Sequence, residues 1–95
     1  MVFDVSKISG IGGFTVQKEK DRERYLKDGR TFLVLHCNTM EIRCDAKLGE
    51  LLKGKYESVM ESRYFGRGGI EIVLAGQLSE VELADLVRLS YNITA

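Results

Sequence analysis

The chain of 95 residues contains no proline and no tryptophan, two cysteines and one histidine. Without proline, ten glycines are left to mark segment ends. Two cysteines are too few for a disulfide scaffold or a cysteine-rich zinc site. No apolar run approaches the roughly 20 residues that a transmembrane helix needs. The start, Met1-Val2-Phe3-Asp4, has no basic segment ahead of an apolar stretch and reads without a secretory signal. Fourteen Lys and Arg cancel fourteen Asp and Glu, which argues against a dedicated polyanion binder. Neither a Gly-x-Ser-x-Gly elbow nor a phosphate-binding P-loop occurs. What remains, 44% hydrophobic and 29% charged, is the composition of one folded domain over residues 1–95. The expectation is a cytoplasmic, non-catalytic protein without cofactor or metal.

Charge is unevenly spread. Residues 1–30 and 31–69 are slightly basic, whereas residues 70–95 carry one basic group against four acidic ones. The run Lys18–Arg30 alternates sign at short range and reads as a solvated loop or a long hairpin tip.

Gly13 to Lys18 alternates apolar and polar residues, the period of a half-buried strand. Thr31 to Cys44 reads as a hairpin with Asn38-Thr39 at its tip. Pairing Cys37 with Met40 sends Leu33, Leu35, Cys37, Met40, Ile42 and Cys44 to one apolar face. Phe32, Val34, His36, Glu41 and Arg43 then share the other face. Asp45 to Gly54 predicts a short helix, capped by Asp45, striped by Leu48, Leu51 and Leu52, and stopped at Gly54. Gly49 inside it costs about 1 kcal/mol relative to alanine. Val59–Tyr64 and Ile70–Leu74 predict a second hairpin joined by an irregular glycine-rich loop, Phe65-Gly66-Arg67-Gly68-Gly69. Ser79-Glu80-Val81-Glu82 is a capping box that opens a helix carrying Leu83, Leu86, Val87 and Ser90. Residues 1–12 fit either a short helix or an extra strand. The prediction is an α+β domain, an antiparallel sheet of about five strands with helices on one face.

Cys37 and Cys44 lie about 14 Å apart along the predicted hairpin, too far for a disulfide, and read as two buried thiols of the core. His36 stands opposite Glu41 in that register and reads as half of a cross-strand surface pair, with a general base as the sharper alternative. Arg63, Tyr64, Phe65 and Arg67 combine guanidinium groups, aromatic rings and flexible backbone. Such a segment either contacts phosphates and stacks a base, or plugs the core with an aromatic while its arginines are solvated.

Four segments in order carry a resemblance: Gly29-Arg30-Thr31-Phe32, Ile42-Arg43-Cys44-Asp45, Lys55-Tyr56-Glu57-Ser58-Val59, and Leu86-Val87-Arg88-Leu89-Ser90-Tyr91. Over about Gly29–Ile93 the chain resembles the MmcQ/YjbR family. The resemblance implies a CyaY-like fold and nucleic-acid binding through two hairpin wings. Carried over by position, it touches Arg30, Arg43, Arg63 and Arg67. Two departures stand out: Ile70 replaces the tryptophan that follows the basic loop in the family, and the N-terminal helix is shortened. A shortened helix leaves part of the sheet less covered and favours a homodimer. The alternative to nucleic acid is therefore a protein-interaction or dimerisation module.

Overall fold

A computed structural model describes residues 3–94. Chain reversal is clearest at Asp28 and Gly29, which both have positive φ, 50° and 81°. That is the geometry of a two-residue hairpin turn whose twist matches the strands beside it. The turn joins β2 (Glu23–Lys27) to β3 (Arg30–Leu35). On the other side of β2, the Glu19 amide donates to the Arg22 carbonyl at 2.8 Å, closing a second tight turn back to β1 (Thr15–Lys18). The charged run is thus mostly strand. Its charged side chains lie near water while Leu26 is buried and Tyr25 packs against the core, and the sheet gains a sixth strand beyond the expected five.

β3 pairs with β4 (Thr39–Arg43), which is followed by α1 (Ala46–Lys55), β5 (Val59–Ser62), β6 (Gly66–Val73) and α2 (Glu80–Ile93). All pairings are antiparallel, in the order β1-β2-β3-β4-β6-β5. A single 3-10 turn, Val5–Lys7, capped by Asp4, settles the ambiguous N-terminal segment. Residues 1, 2 and 95 lie outside the described residues.

The first hairpin is offset from its predicted register. Leu33 pairs with Ile42 and Leu35 with Met40, while the His36 amide donates to the Thr39 carbonyl. The tip is therefore Cys37-Asn38, not Asn38-Thr39. An offset of two residues preserves the faces, so Leu33, Leu35, Met40, Ile42 and Cys44 still form the buried wall. Cys37 drops out of it: the thiol is exposed on the turn, and Cys44 alone of the two is buried.

Phe32 is the second correction. Tyr25 pairs with Leu33 but Leu26 pairs with Thr31, so Phe32 is the extra residue of a β-bulge. The bulge turns its ring into the core, 5.0 Å from the Tyr91 ring and 6.1 Å from Phe14. Strict alternation would have put it on the open side.

Both helices cover the same face. α1 packs on β5 and β6, and α2 on β3 and β4. α1 starts where expected, the Asp45 carboxylate accepting from the Leu48 amide, but it runs through Gly54 to Lys55. Leu51 points to water, 71% exposed, instead of completing the leucine stripe. The residue that α1 buries is Gly49, which lies over Cys44 and Ile70. A Cβ there would meet Cys44 Sγ and Ile70 Cγ2 at 3.5 Å, ordinary contact distance. Gly49→Ala is therefore expected to stabilise the domain by about 0.5–1 kcal/mol through helix propensity. Urea denaturation checks this; a lower midpoint would mean that the helix cannot yield even that contact.

α2 begins with the predicted capping box, Ser79 and Glu82 satisfying each other's backbone amides. Leu83, Val87 and Ser90 are fully buried beneath it. The predicted glycine loop is, from Gly66 onward, the first half of β6. Glycine is required there: a Cβ on Gly69 would stand 2.3 Å from the Ile42 carbonyl oxygen and 2.7 Å from Phe65 Cβ. No helix among the described residues is long and apolar enough to cross a membrane.

Candidate functional site

The side of the sheet away from the helices is built from side chains the sequence placed on a mixed face. One cross-strand row runs Gln17, Arg24, Val34, Glu41, Glu71 and Met60. Glu41 and Glu71 sit directly opposite each other on β4 and β6, and both are almost completely buried, 1% and 3% exposed. Two adjacent carboxylates repel unless each has its own donors.

Each does. Glu41 Oε1 accepts from the Ser62 hydroxyl at 2.7 Å and the Tyr64 amide at 2.8 Å, and Oε2 lies 2.9 Å from His36 Nε2. Burial pushes the Glu41 carboxyl up, but the bonds from Tyr64, Ser62 and His36 outweigh it and hold it below its ordinary value. Glu71 is gripped by the Arg63 guanidinium through two bonds, 2.9 Å from Nε and 2.8 Å from Nη2. The same hydrogen bonds raise the Arg63 pKa. His36 and Glu41 do meet, but as a diagonal pair, because Val34 is the residue directly opposite Glu41.

This network pins the turn between β5 and β6 onto the sheet. Ser62 also accepts from the Phe65 amide, so the turn backbone is held at both Tyr64 and Phe65. Tyr64 then reaches across β4 to β3, where its hydroxyl lies 3.1 Å from Thr31 Oγ1 and 3.2 Å from Arg24 Nη1. The Thr31 bond, helped by Arg24, lowers the Tyr64 phenol's pKa. Arg24 also donates to Glu19 and Gln17, tying β1 and β2 into the same cluster.

A layer of two rings flanked by two arginines results. The Arg22 guanidinium lies 5.2 Å from the Tyr64 ring centre, Tyr64 and Phe65 meet edge to face at 4.8 Å, and Arg43 lies 4.9 Å from the Phe65 ring. Arg22 Nε is taken by Glu19 and Arg43 Nε by the Thr31 carbonyl. Among the described residues, the terminal nitrogens of both have no hydrogen-bond partner.

Of the four arginines singled out by sequence, Arg43 and Arg63 are on this face and Arg30 and Arg67 are not. Arg30 sits beside the Asp28-Gly29 turn. Arg67 lines a separate hollow of about 260 Å³ with Glu50, Lys53 and Glu61 beside α1. Arg22 and Arg24 belong to the layer and were missed inside a run read as solvated tip; the Asp28-Gly29 dipeptide was the signal for a strand there. The buried Glu41 and Glu71 had no signal of their own.

Chemically the cluster is closed. The Ser62 hydroxyl is spent on Glu41 and is not bonded to His36, so no nucleophile is activated in the manner of a serine triad. Among the described residues, no group of three or more His, Cys, Asp and Glu side chains is placed to hold a metal ion. What faces solvent is aromatic edge and guanidinium, which suits recognition. Comparison with protein-family models, curated proteins and solved structures finds no match to this chain.

Proposed function

We infer that the chain is a non-catalytic binding module of the MmcQ/YjbR type, with a CyaY-like fold, that contacts nucleic acid weakly. The contact surface is the helix-free face of the sheet. The observation that carries this reading is the layer in which Arg22 and Arg43 flank Tyr64 and Phe65. Guanidinium groups bind phosphates, and aromatic side chains stack on bases irrespective of sequence. An antiparallel sheet with both helices on one face supports the fold that the family resemblance implies. Glu19, paired with Arg22 and Arg24, and Glu71, paired with Arg63, offset much of the arginine charge, so affinity is modest and strongly salt-dependent.

The test is fluorescence anisotropy with a labelled single-stranded oligonucleotide. Affinity should fall steeply between about 50 and 200 mM salt, as counterion release requires. Arg22→Ala should weaken binding by roughly 3- to 10-fold, the scale of one lost phosphate contact. Arg30→Ala plus Arg67→Ala separates this face from the hairpin-wing version of the contact. If that pair weakens binding and Arg22→Ala does not, the wings carry it. Binding indifferent to salt and to all three changes removes the nucleic-acid reading.

A further inference from the structure

The edge strand β1 is unlike the rest of the sheet. All four of its residues are exposed. The Glu19–Arg22 bond sets the hydrogen-bond alternation, so Gln17 and Thr15 bond to β2 while the N–H and C=O groups of Val16 and Lys18 face outward. Edges of this kind template further pairing, and proline, lysines, an inward charge, shortness or a covering element oppose it. β1 has no proline and one charged residue, Lys18; among the described residues α2 touches this end of the sheet through Tyr91, which meets Lys27 and the Gly13 carbonyl, and leaves all four residues of β1 exposed. On the helix side of this region Phe3, Asp4, Phe14, Val16 and Tyr25 line a hollow of about 290 Å³, with Val16 41% exposed. The opposite edge, β5, buries Val59 and Ser62, is broken by an irregularity and is flanked by α1.

We propose that two copies of this chain pair through β1, antiparallel about a twofold axis perpendicular to the sheet, doubling the six-stranded sheet. Matching helix sides requires each residue to meet one from the same face. The register that covers the hollow sets Val16 against Val16 of the second copy. It also sets Phe14 against Lys18 and Thr15 against Gln17. Lys18 is 80% exposed, and its Glu23 partner is 3.9 Å away. In this register its ammonium reaches the Phe14 ring and the Asp4 carboxylate of the second copy, and symmetry makes the contact twice. This complementarity, cation against ring and carboxylate across a shared apolar centre, selects a second copy as the occupant. The contact lies at the sheet edge and does not depend on the nucleic-acid reading.

Sedimentation equilibrium of the full chain should show a dimer that dissociates on dilution. Val16→Lys should weaken it at least about 10-fold, by bringing two like charges together at the axis. The Val16→Cys variant, in a Cys37→Ser background, should form a disulfide-linked dimer on oxidation, since directly opposed residues lie about 5.5 Å apart. Gln17→Cys in the same background should not. A monomer at every concentration without a Val16→Cys cross-link overturns the proposal. So does a dimer indifferent to Val16→Lys, or one that cross-links through Gln17→Cys instead.

Discussion

Glu41→Ala is expected to cost about 3–4 kcal/mol of folding stability, because it orphans several buried or half-buried donors at once. The Ser62 hydroxyl, the Tyr64 amide and His36 all lose their acceptor. Without that anchor the Tyr64-Phe65 turn should also lose its fixed position, and with it the arginine–aromatic layer. Glu41→Gln keeps the shape and one acceptor oxygen, so about 1–2 kcal/mol is expected instead. The pair separates charge from geometry. The folded-state pKa of Glu41 lies below its ordinary value of 4.5, so its charge contribution is complete above that pH and is lost as the pH falls through the lower folded value. The stability gap between wild type and Glu41→Gln should therefore shrink on acidification from about pH 6 to about pH 3, below the ordinary range of a glutamate. Urea melts across that range measure it. A gap independent of pH would mean that the carboxylate is not the charged hub described here.

Ser90→Ala is the second large effect, expected at about 2–4 kcal/mol. Alternation from the His36–Thr39 bond makes Arg43 N to Phe32 O the next regular ladder bond between β4 and β3. The bulge at Phe32 opens that position. The Ser90 hydroxyl fills it, accepting from the Arg43 amide at 2.8 Å and donating to the Phe32 carbonyl at 2.6 Å. Alanine leaves both backbone groups buried and unpaired, with no room beneath α2 for bulk water, since Ser90 is fully buried. Hydrogen exchange at the Arg43 amide should accelerate more than at Ile42. Equal protection at both would show that the strands close the ladder directly once the hydroxyl is gone.

Local chemistry made much of the fold legible. The capping box at Ser79 and the Asp45 cap started both helices where expected, because those signals act within four residues. The apolar wall survived an error in the turn, since an offset of two residues leaves every remaining side chain on its own face. The charged strand β2 was hidden by its composition: its charged side chains meet water and one another, and its two apolar residues, Tyr25 and Leu26, are adjacent and point to opposite faces, so it lacks an apolar stripe. Phe32 was misplaced because a bulge is decided by how β2 and β3 meet, and that is invisible in either segment alone. The glycine-rich half of β6 was misread because Gly69 answers to the Ile42 carbonyl of β4 and to Phe65 folded back from the preceding turn, neighbours that only the paired sheet supplies.

The candidate site divides the same way. Tyr64 and Phe65 among arginines could be singled out from residue type, and His36 and Glu41 could be placed on one face from parity. Amino-acid order alone thus determined an α+β domain with one greasy side to its sheet, since periodicity and caps are properties of neighbours in the chain. Only the tertiary structure decided that Arg22 and Arg24 join Tyr64, that Arg30 and Arg67 stand apart, and that Glu41 and Glu71 are buried. Those outcomes depend on which strands lie side by side, and strand order brings together residues 40 positions apart, as in the bond from Arg24 to Tyr64.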